Sequence, residues 1–267
     1  MNAKKRLIQI SGHRGYRAGE IDNTKRAFQK AIDLGLDYVE FDVRKTSDDV
    51  AVIFHDRNLN ALTNGSGSFE DKSWNQIKRL RYNDGQKFQS LREMLDQCAH
   101  KINLMLEIKS DGISEQVMEC VKDYGIEESV LIQSFKPHHV RNCYELNDDS
   151  RIKWGLCIGP VNLLGRFGEF IRLDRIVSRL YFSKFIDPHP FVEYLNVDGP
   201  IITDYFMEMA IGRDLKAMLG AKKTWEYLNK IEDWDIRILN CDDPAYCVNE
   251  LREHFPEQYE LSDGLKL

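Results

Sequence analysis

Short apolar runs rich in β-branched and aromatic residues alternate with amphipathic stretches along this 267-residue chain. The runs predict strands at Leu7–Ser11, Tyr38–Val43, Val50–His55, Asn103–Lys109, Ser129–Phe135, Lys153–Ile158, Pro200–Asp204, Asp235–Asn240 and Gln258–Ser262. The amphipathic stretches predict helices at Asn23–Leu34, with Ala27, Phe28, Ala31 and Ile32 on one stripe, and at Ser90–Cys98, Ser114–Tyr124, Lys136–Leu146, Arg213–Trp234 and Pro244–Glu253. Asn23 and Ser90 suit N-caps, and Gly35 and Gly125 stand where a helix C-terminus takes a left-handed residue. Such alternation predicts an α/β fold of βα units around a parallel sheet. At this length the natural form is one TIM-type (β/α)8 barrel, residues 1–267 making a single domain. The strands outnumber the staves of such a barrel, so at least one lies outside the ring. Two segments break the rhythm: an insertion at roughly 60–89 after the third strand, beginning near Asn64-Gly65-Ser66-Gly67, and Gly159–Asp187, partly helical and rich in Arg and Phe.

Composition narrows the class. With 42% hydrophobic and 30% charged residues an ordinary globular core is expected, and a net charge of −6 gives no broad positive field for a nucleic-acid backbone. After the basic Met1–Arg6 only Leu7, Ile8 and Ile10 precede polar Ser11, too short a run for a signal peptide, and no segment approaches a transmembrane span. The six cysteines, Cys98, Cys120, Cys143, Cys157, Cys241 and Cys247, show neither CxxC pairs nor zinc-ligand spacing. Reduced packing thiols in a cytoplasmic protein are expected.

Candidate chemistry starts at Glu40 and Asp42, two apart in a strand and therefore on one face. Two carboxylates aimed at one point repel unless a proton or cation lies between them, and a hard ion such as Mg²⁺ or Ca²⁺ suits oxygen ligands. Glu107 and Lys109 repeat the spacing in a later strand. His13 and Arg14, between Gly12 and Gly15, follow the first strand, and His55 closes the third; all fall at strand ends, where barrels place their chemistry. Arg14 offers a planar fork for phosphate. Each feature alone fits a solvated acidic edge, a surface ion pair or a structural histidine. Together they point to one site.

The run His13-Arg14-Gly15, Asn23-Thr24, Ala27-Phe28, Ala31, Gly35, Asp37, Glu40-Phe41-Asp42-Val43, Thr46, Asp48, His55-Asp56 resembles the glycerophosphodiester phosphodiesterase family, as do Leu62-Thr63-Asn64-Gly65-Ser66-Gly67, Glu107-Ile108-Lys109 and Ser134-Phe135. The resemblance implies a TIM-type barrel with a small insertion after His55. It further implies metal-dependent hydrolysis of a small-molecule glycerophosphodiester to glycerol 3-phosphate and an alcohol. Glu40, Asp42 and Glu107 would hold one divalent cation, Mg²⁺ or Ca²⁺; His13 and His55 would be the acid/base pair; Arg14 and Lys109 would bind the phosphate. Which histidine is the acid, and whether water or a substrate hydroxyl attacks, is left open. The chain departs from the family where Ile21-Asp22 replaces Pro-Glu, which leaves Asp22 or Glu20 to support the site. Ile236–Asn240 replaces a Trp-Thr-Val-Asn strand, and Ile201-Ile202-Thr203-Asp204 comes early for the closing strand it mimics. Gly159–Asp187 and Leu239 are candidates for shaping the leaving-group pocket. The nearest alternative is a lipid-directed relative similar to lysophospholipase D or sphingomyelinase D. A glycoside hydrolase would leave both histidines and Arg14 unused, and a binding module would keep metal without turnover.

Overall fold

The alternation closes into a ring of parallel strands in a computed structural model, which describes residues 6–147, 149–158, 173–197, 203–220, 228, 230–231, 233–256 and 259–267. In chain order the strands are β1 (Arg6–Leu7), β2 (Gln9–Gly12), β3 (Tyr38–Lys45), β4 (Ala51–Ile53), β5 (Asn103–Ile108), β6 (Val130–Ser134), β7 (Lys153–Ile158), β8 (Tyr194–Val197), β9 (Lys216–Leu219), β10 (Ile236–Cys241) and β11 (Tyr259–Glu260). The helices are α1 (Lys25–Asp33), α2 (Trp74–Ile77), α3 (Leu91–Cys98), α4 (Ser114–Tyr124), α5 (Pro137–Glu145), α6 (Leu173–Tyr181), α7 (Asp204–Ile211) and α8 (Pro244–His254), with a π-helical turn at Phe182–Ile186 after α6. The ring runs β2, β3, β5, β6, β7, β8, β9, β10 and back to β2, every pair parallel.

The predicted strand Val50–His55 is a strand but not a stave. Thr46–Val50 is too short for a parallel crossover, so β4 folds back antiparallel on β3, with Val43 opposite Ile53. The insertion roughly spanning 60–89 follows it and carries α2. The sequence pattern missed β8 and β9, four residues each. β9 lies inside Arg213–Trp234, which is therefore not one helix. Of Pro200–Asp204, Thr203 caps α7 and Asp204 opens it, while 200–202 lie outside the described residues. Gln258–Ser262 reduces to β11, paired with β1 outside the ring, Gln258 itself not being described. Of Gly159–Asp187, Leu173–Ile186 is helical and 159–172 lies outside the described residues.

The staves explain where the site can form. Tyr38, Met105, Leu131, Tyr194, Met218 and Ile238 make one buried apolar cluster inside the ring. Two residues further along the same strands stand Glu40, Glu107, Gln133, Asn196, Gly220 and Asn240; the period of two keeps them on the inner face, nearer the C-terminal mouth. The intervening Val39, Phe41, Val43, Leu104, Leu106, Ile108, Val130 and Ile132 belong to the main core against the helices. Each fully buried side chain of this kind contributes about 1.5–3 kcal/mol. A separate apolar cluster, Val52, Phe54, Leu59, Phe69, Ile77, Tyr82 and Phe88, lies under the insertion, with Phe54 stacked on Phe69 and Tyr82 on Phe88. Among the described residues no helix is long and apolar enough to cross a membrane.

Candidate active site

The turn after β2 is built for the first histidine. Arg14 takes a left-handed conformation (φ 55°) and Gly15 follows at φ 90°, where an added Cβ would lie 2.7 Å from the Ala27 Cβ on α1. A non-glycine residue there costs about 1–2 kcal/mol. The Arg14 backbone N–H donates to Glu40 Oε2 at 2.8 Å, a hydrogen bond that offsets part of the strain at Arg14. Asn23 is not the N-cap of α1. It sits left-handed (φ 56°), its Nδ2 donating to Asp42 Oδ2 at 2.8 Å while its Oδ1 accepts from the Asp42 N–H at 3.1 Å. Thr24 caps the helix instead, accepting from Ala27 N–H.

Glu40, Asp42 and Glu107 come together as the strand register dictates, Asp42 facing Glu107 across β3 and β5. One oxygen from each lies within 4.8 Å of the others, and the residues are 1%, 1% and 6% exposed. Lys109 Nζ is 3.1 Å from Asp42 Oδ1 and in a tighter ion pair with Glu107 Oε1; Arg14 Nε is 3.4 Å from Asp42 Oδ2. Burial, with Asp42 and Glu107 nearby, holds the Glu40 carboxyl well above its ordinary range. Burial also pushes Glu107 up to about 7 against the pull of Lys109. At Asp42 burial acts the same way, but Lys109 and Arg14 outweigh it and keep that carboxyl low. Asp42 Oδ1 and Glu107 Oε1 are buried and share the one Lys109 ammonium between them. Inward oxygens of this kind, with more negative charge than the protein itself neutralises, fit a hard divalent cation.

His13 Nδ1 is 2.7 Å from Asp242 Oδ1, and His55 Nδ1 is 2.7 Å from Asp56 Oδ1. A carboxylate opposite Nδ1 places the hydrogen there and leaves Nε2 for chemistry. Burial lowers the pKa of both imidazoles. His13, Arg14, Glu40, His55, Glu107 and Lys109 line one cleft of ≈ 200 Å³ at the barrel mouth, joined by Phe135, Asn196, Gly220 and Asn240. The structure thus brings all seven sequence-predicted residues together, Asp42 lying just beneath the lining.

Asp22 reaches Arg14 despite its missing methylene, with Nη1 to Oδ2 at 2.9 Å, whereas Glu20 pairs with Arg26 away from the cleft. Leu239 is fully buried in the main core, and its neighbour Asn240 faces the cleft. Sequence reasoning gave no role to Asp56, Asp242, Phe135, Asn196 or Asn240. The signal for the two asparagines is the step of two beyond Tyr194 and Ile238; that for Asp242 is its place directly after the last stave. Gln133 Nε2 and Asn240 Oδ1 are buried without a donor or acceptor, and Asn196 Nδ2 donates to Gln133 Oε1 at 3.1 Å.

A glycerophosphodiester phosphodiesterase of Caldanaerobacter subterraneus is 33% identical over 163 residues, 56% of this chain and 65% of that protein. The match therefore spans just under two thirds of the relative's length. A glycerophosphodiester phosphodiesterase structure from Thermotoga maritima superposes with a TM-score of 0.68 at 22% identity, covering 92% of this chain and 99% of that one. An Oleispira antarctica phosphodiesterase in complex with the product sn-glycerol-3-phosphate gives 0.72 at 19% identity, covering 92% and 97%. At these identities the two structures speak for the fold. The profile of the Glycerophosphoryl diester phosphodiesterase family matches residues 13–153, more than half of the chain and the part that carries all seven residues, so this chain belongs to that family.

Proposed function

We propose that the chain is a phosphoric diester hydrolase that cleaves a glycerophosphodiester to glycerol 3-phosphate and an alcohol, using one divalent cation, Mg²⁺ or Ca²⁺, held by Glu40, Asp42 and Glu107. One observation carries the reading: two histidines, each backed by a carboxylate on Nδ1, line the same small cleft as the buried carboxylates, Arg14 and Lys109. When bound, the cation would supply charge neutralisation at a non-bridging phosphate oxygen. Arg14 and Lys109 then hold the oxygens that gain charge as the ester bond breaks. One imidazole Nε2 removes a proton from the nucleophile, and the other gives one to the departing alcohol oxygen. The nucleophile is either water, which yields glycerol 3-phosphate directly, or the substrate's own hydroxyl, whose cyclic phosphate water then opens. Asp56 and Asp242 keep each ring oriented and stabilise its charged form. The family membership and the glycerol phosphate product held by the Oleispira relative support the substrate class.

We read the chain as one catalytic domain acting on small diesters in the cytoplasm. All six cysteines are buried and no disulfide joins them, which suits a reducing compartment. The test is a panel of glycerophosphodiesters with charged and neutral headgroups, assayed for glycerol phosphate release with Mg²⁺, Ca²⁺ or EDTA. Release that EDTA abolishes is expected. Turnover of lysophospholipids alone would move the assignment to the lipid-directed branch, and metal binding without turnover of any diester would overturn it.

A further inference from the structure

We propose that Asp111, His138 and His139 form a second metal site on the barrel rim, suited to a borderline ion such as Zn²⁺, Co²⁺ or Ni²⁺. Asp111 follows β5, and the two histidines stand in the first turn of α5. Asp111 Oδ1 is 2.7 Å from Nε2 of His138 and 2.7 Å from Nε2 of His139, and all three donor atoms lie within 4.8 Å of one another.

The hydrogen bonding of His139 carries the argument. The residue is 2% exposed, and its Nδ1 faces the Ile108 carbonyl oxygen at 3.1 Å and Ser134 Oγ at 3.0 Å. A carbonyl only accepts, and the Ser134 hydroxyl already donates to that same oxygen at 2.7 Å, so the hydrogen belongs on Nδ1. In the neutral ring Nε2 then presents a lone pair to a carboxylate oxygen, acceptor against acceptor. A positive species belongs between them, and a backbone carbonyl fixing Nδ1–H is the support that metal-binding histidines commonly have. His138 brings a second imidazole to the same oxygen, its ring edge-on to that of His139 with centroids 4.5 Å apart.

Two imidazole nitrogens and one carboxylate oxygen differ from the all-oxygen set at the mouth and favour a different class of ion. Accepting it spreads the donors from 2.7 Å to ~3.3 Å, given tetrahedral bonds near 2.0–2.1 Å. The side chains of Asp111 and His138 are 67% and 54% exposed, so they can move and leave a ligand position open to water. Lys136 Nζ sits 3.1 Å from Asp111 Oδ2 and 3.4 Å from Oδ1, so an ion on Oδ1 would turn this exposed ammonium fully onto Oδ2. An ion here would clasp the loop after Lys109 to the first turn of α5, which follows Phe135, fixing one wall of the cleft.

The untagged full chain, stripped of metal and saturated with Mg²⁺ to fill the oxygen site, is titrated with Co²⁺ by visible absorption and with Zn²⁺ by calorimetry. One equivalent is expected in the wild type, weakened about tenfold or more in Asp111→Asn and His138→Ala and unchanged in Glu107→Gln. Both test positions are exposed, so the fold survives their substitution. The proposal is overturned if no ion binds beyond one lost in Glu107→Gln, or if Asp111→Asn and His138→Ala bind as the wild type does. Either result would leave a purely protonic His–Asp cluster.

Discussion

His13 and His55 carry out the same kind of task with different support, and that difference can be measured. Asp56 is the neighbour of His55 in sequence, whereas Asp242 reaches His13 from the adjacent strand end, 229 residues later in the chain, and also accepts from Arg17 at 3.0 Å. Replacing either histidine by alanine is expected to lower kcat by about 10²–10⁴-fold; near-normal turnover in either variant would remove that residue from the reaction. Asp242→Asn is expected to leave KM nearly unchanged and lower kcat by about 10–100-fold, the range typical of lost orienting partners. The Asp242 carboxylate raises the pKa of His13 against the effect of burial, so its loss lowers that pKa further. The limb of the kcat/KM profile that His13 governs, the acid limb if it is the base and the alkaline limb if it is the acid, would then move to lower pH. A variant with the wild-type profile and rate would show that His13 does not need its carboxylate.

Most elements of six or more residues were legible because they display their period, but α7, at eight residues, was missed where Pro200–Asp204 read as a strand, and α6 was read only as part of a partly helical insertion. β3 and β5 alternate core-facing apolar residues with Glu40, Asp42 and Glu107, and that alternation alone places the three carboxylates on one face. β8 and β9, at four residues, show too few positions for a period, so Asn196 and Gly220 stayed invisible although they line the cleft. Asn23 was misread for a different reason: its capping chemistry is real but serves Asp42, and the next residue, Thr24, does the capping. Ser90 and the two helix-ending glycines were read correctly, and these local devices carry their own test. Ser90 accepts from Glu93 N–H while Glu93 answers to the Ser90 N–H, so Ser90→Ala should lower stability by about 1 kcal/mol in urea melts with kcat unchanged. Gly35, at φ 68°, would place a Cβ 2.0 Å from the Gly264 carbonyl oxygen. Gly35→Ala should therefore cost more than about 1 kcal/mol, and a neutral outcome would mean that the C-terminal segment yields easily.

At the scale of the molecule, the cluster at the mouth links stability to pH and metal. Glu40 and Glu107 have raised folded-state pKa values, so the stability they contribute is full below the ordinary 4.5 and is lost as pH rises, through about 7 for Glu107. Asp42 runs the opposite way, but its window lies below its ordinary 3.8; Lys109 acts only above 10.5. The lowered imidazoles of His13 and His55 act the opposite way, but only below 6.5. Metal-free protein should thus show a lower Tm at about pH 8 than at about pH 6.5, an interval in which the carboxylates alone are still losing protons. Mg²⁺ or Ca²⁺ should raise Tm more at the higher pH; equal stabilisation at both would argue against metal at these carboxylates. The small core under the insertion adds a second level. Phe54 leads directly into His55, whose carbonyl accepts from Arg44 Nε at 2.8 Å, and Tyr82 from the same cluster donates to the Asn23 carbonyl at 3.3 Å. Phe69→Ala would open a cavity there costing about 3–5 kcal/mol, while the barrel core stays whole. Hydrogen exchange should then speed up across Phe54–Phe88 ahead of the staves, and uniform exchange would deny the insertion any independence. On warming, such a protein would fall silent before it melts: the cation seat would stay intact in the barrel while one of its two proton carriers had already drifted away with the insertion.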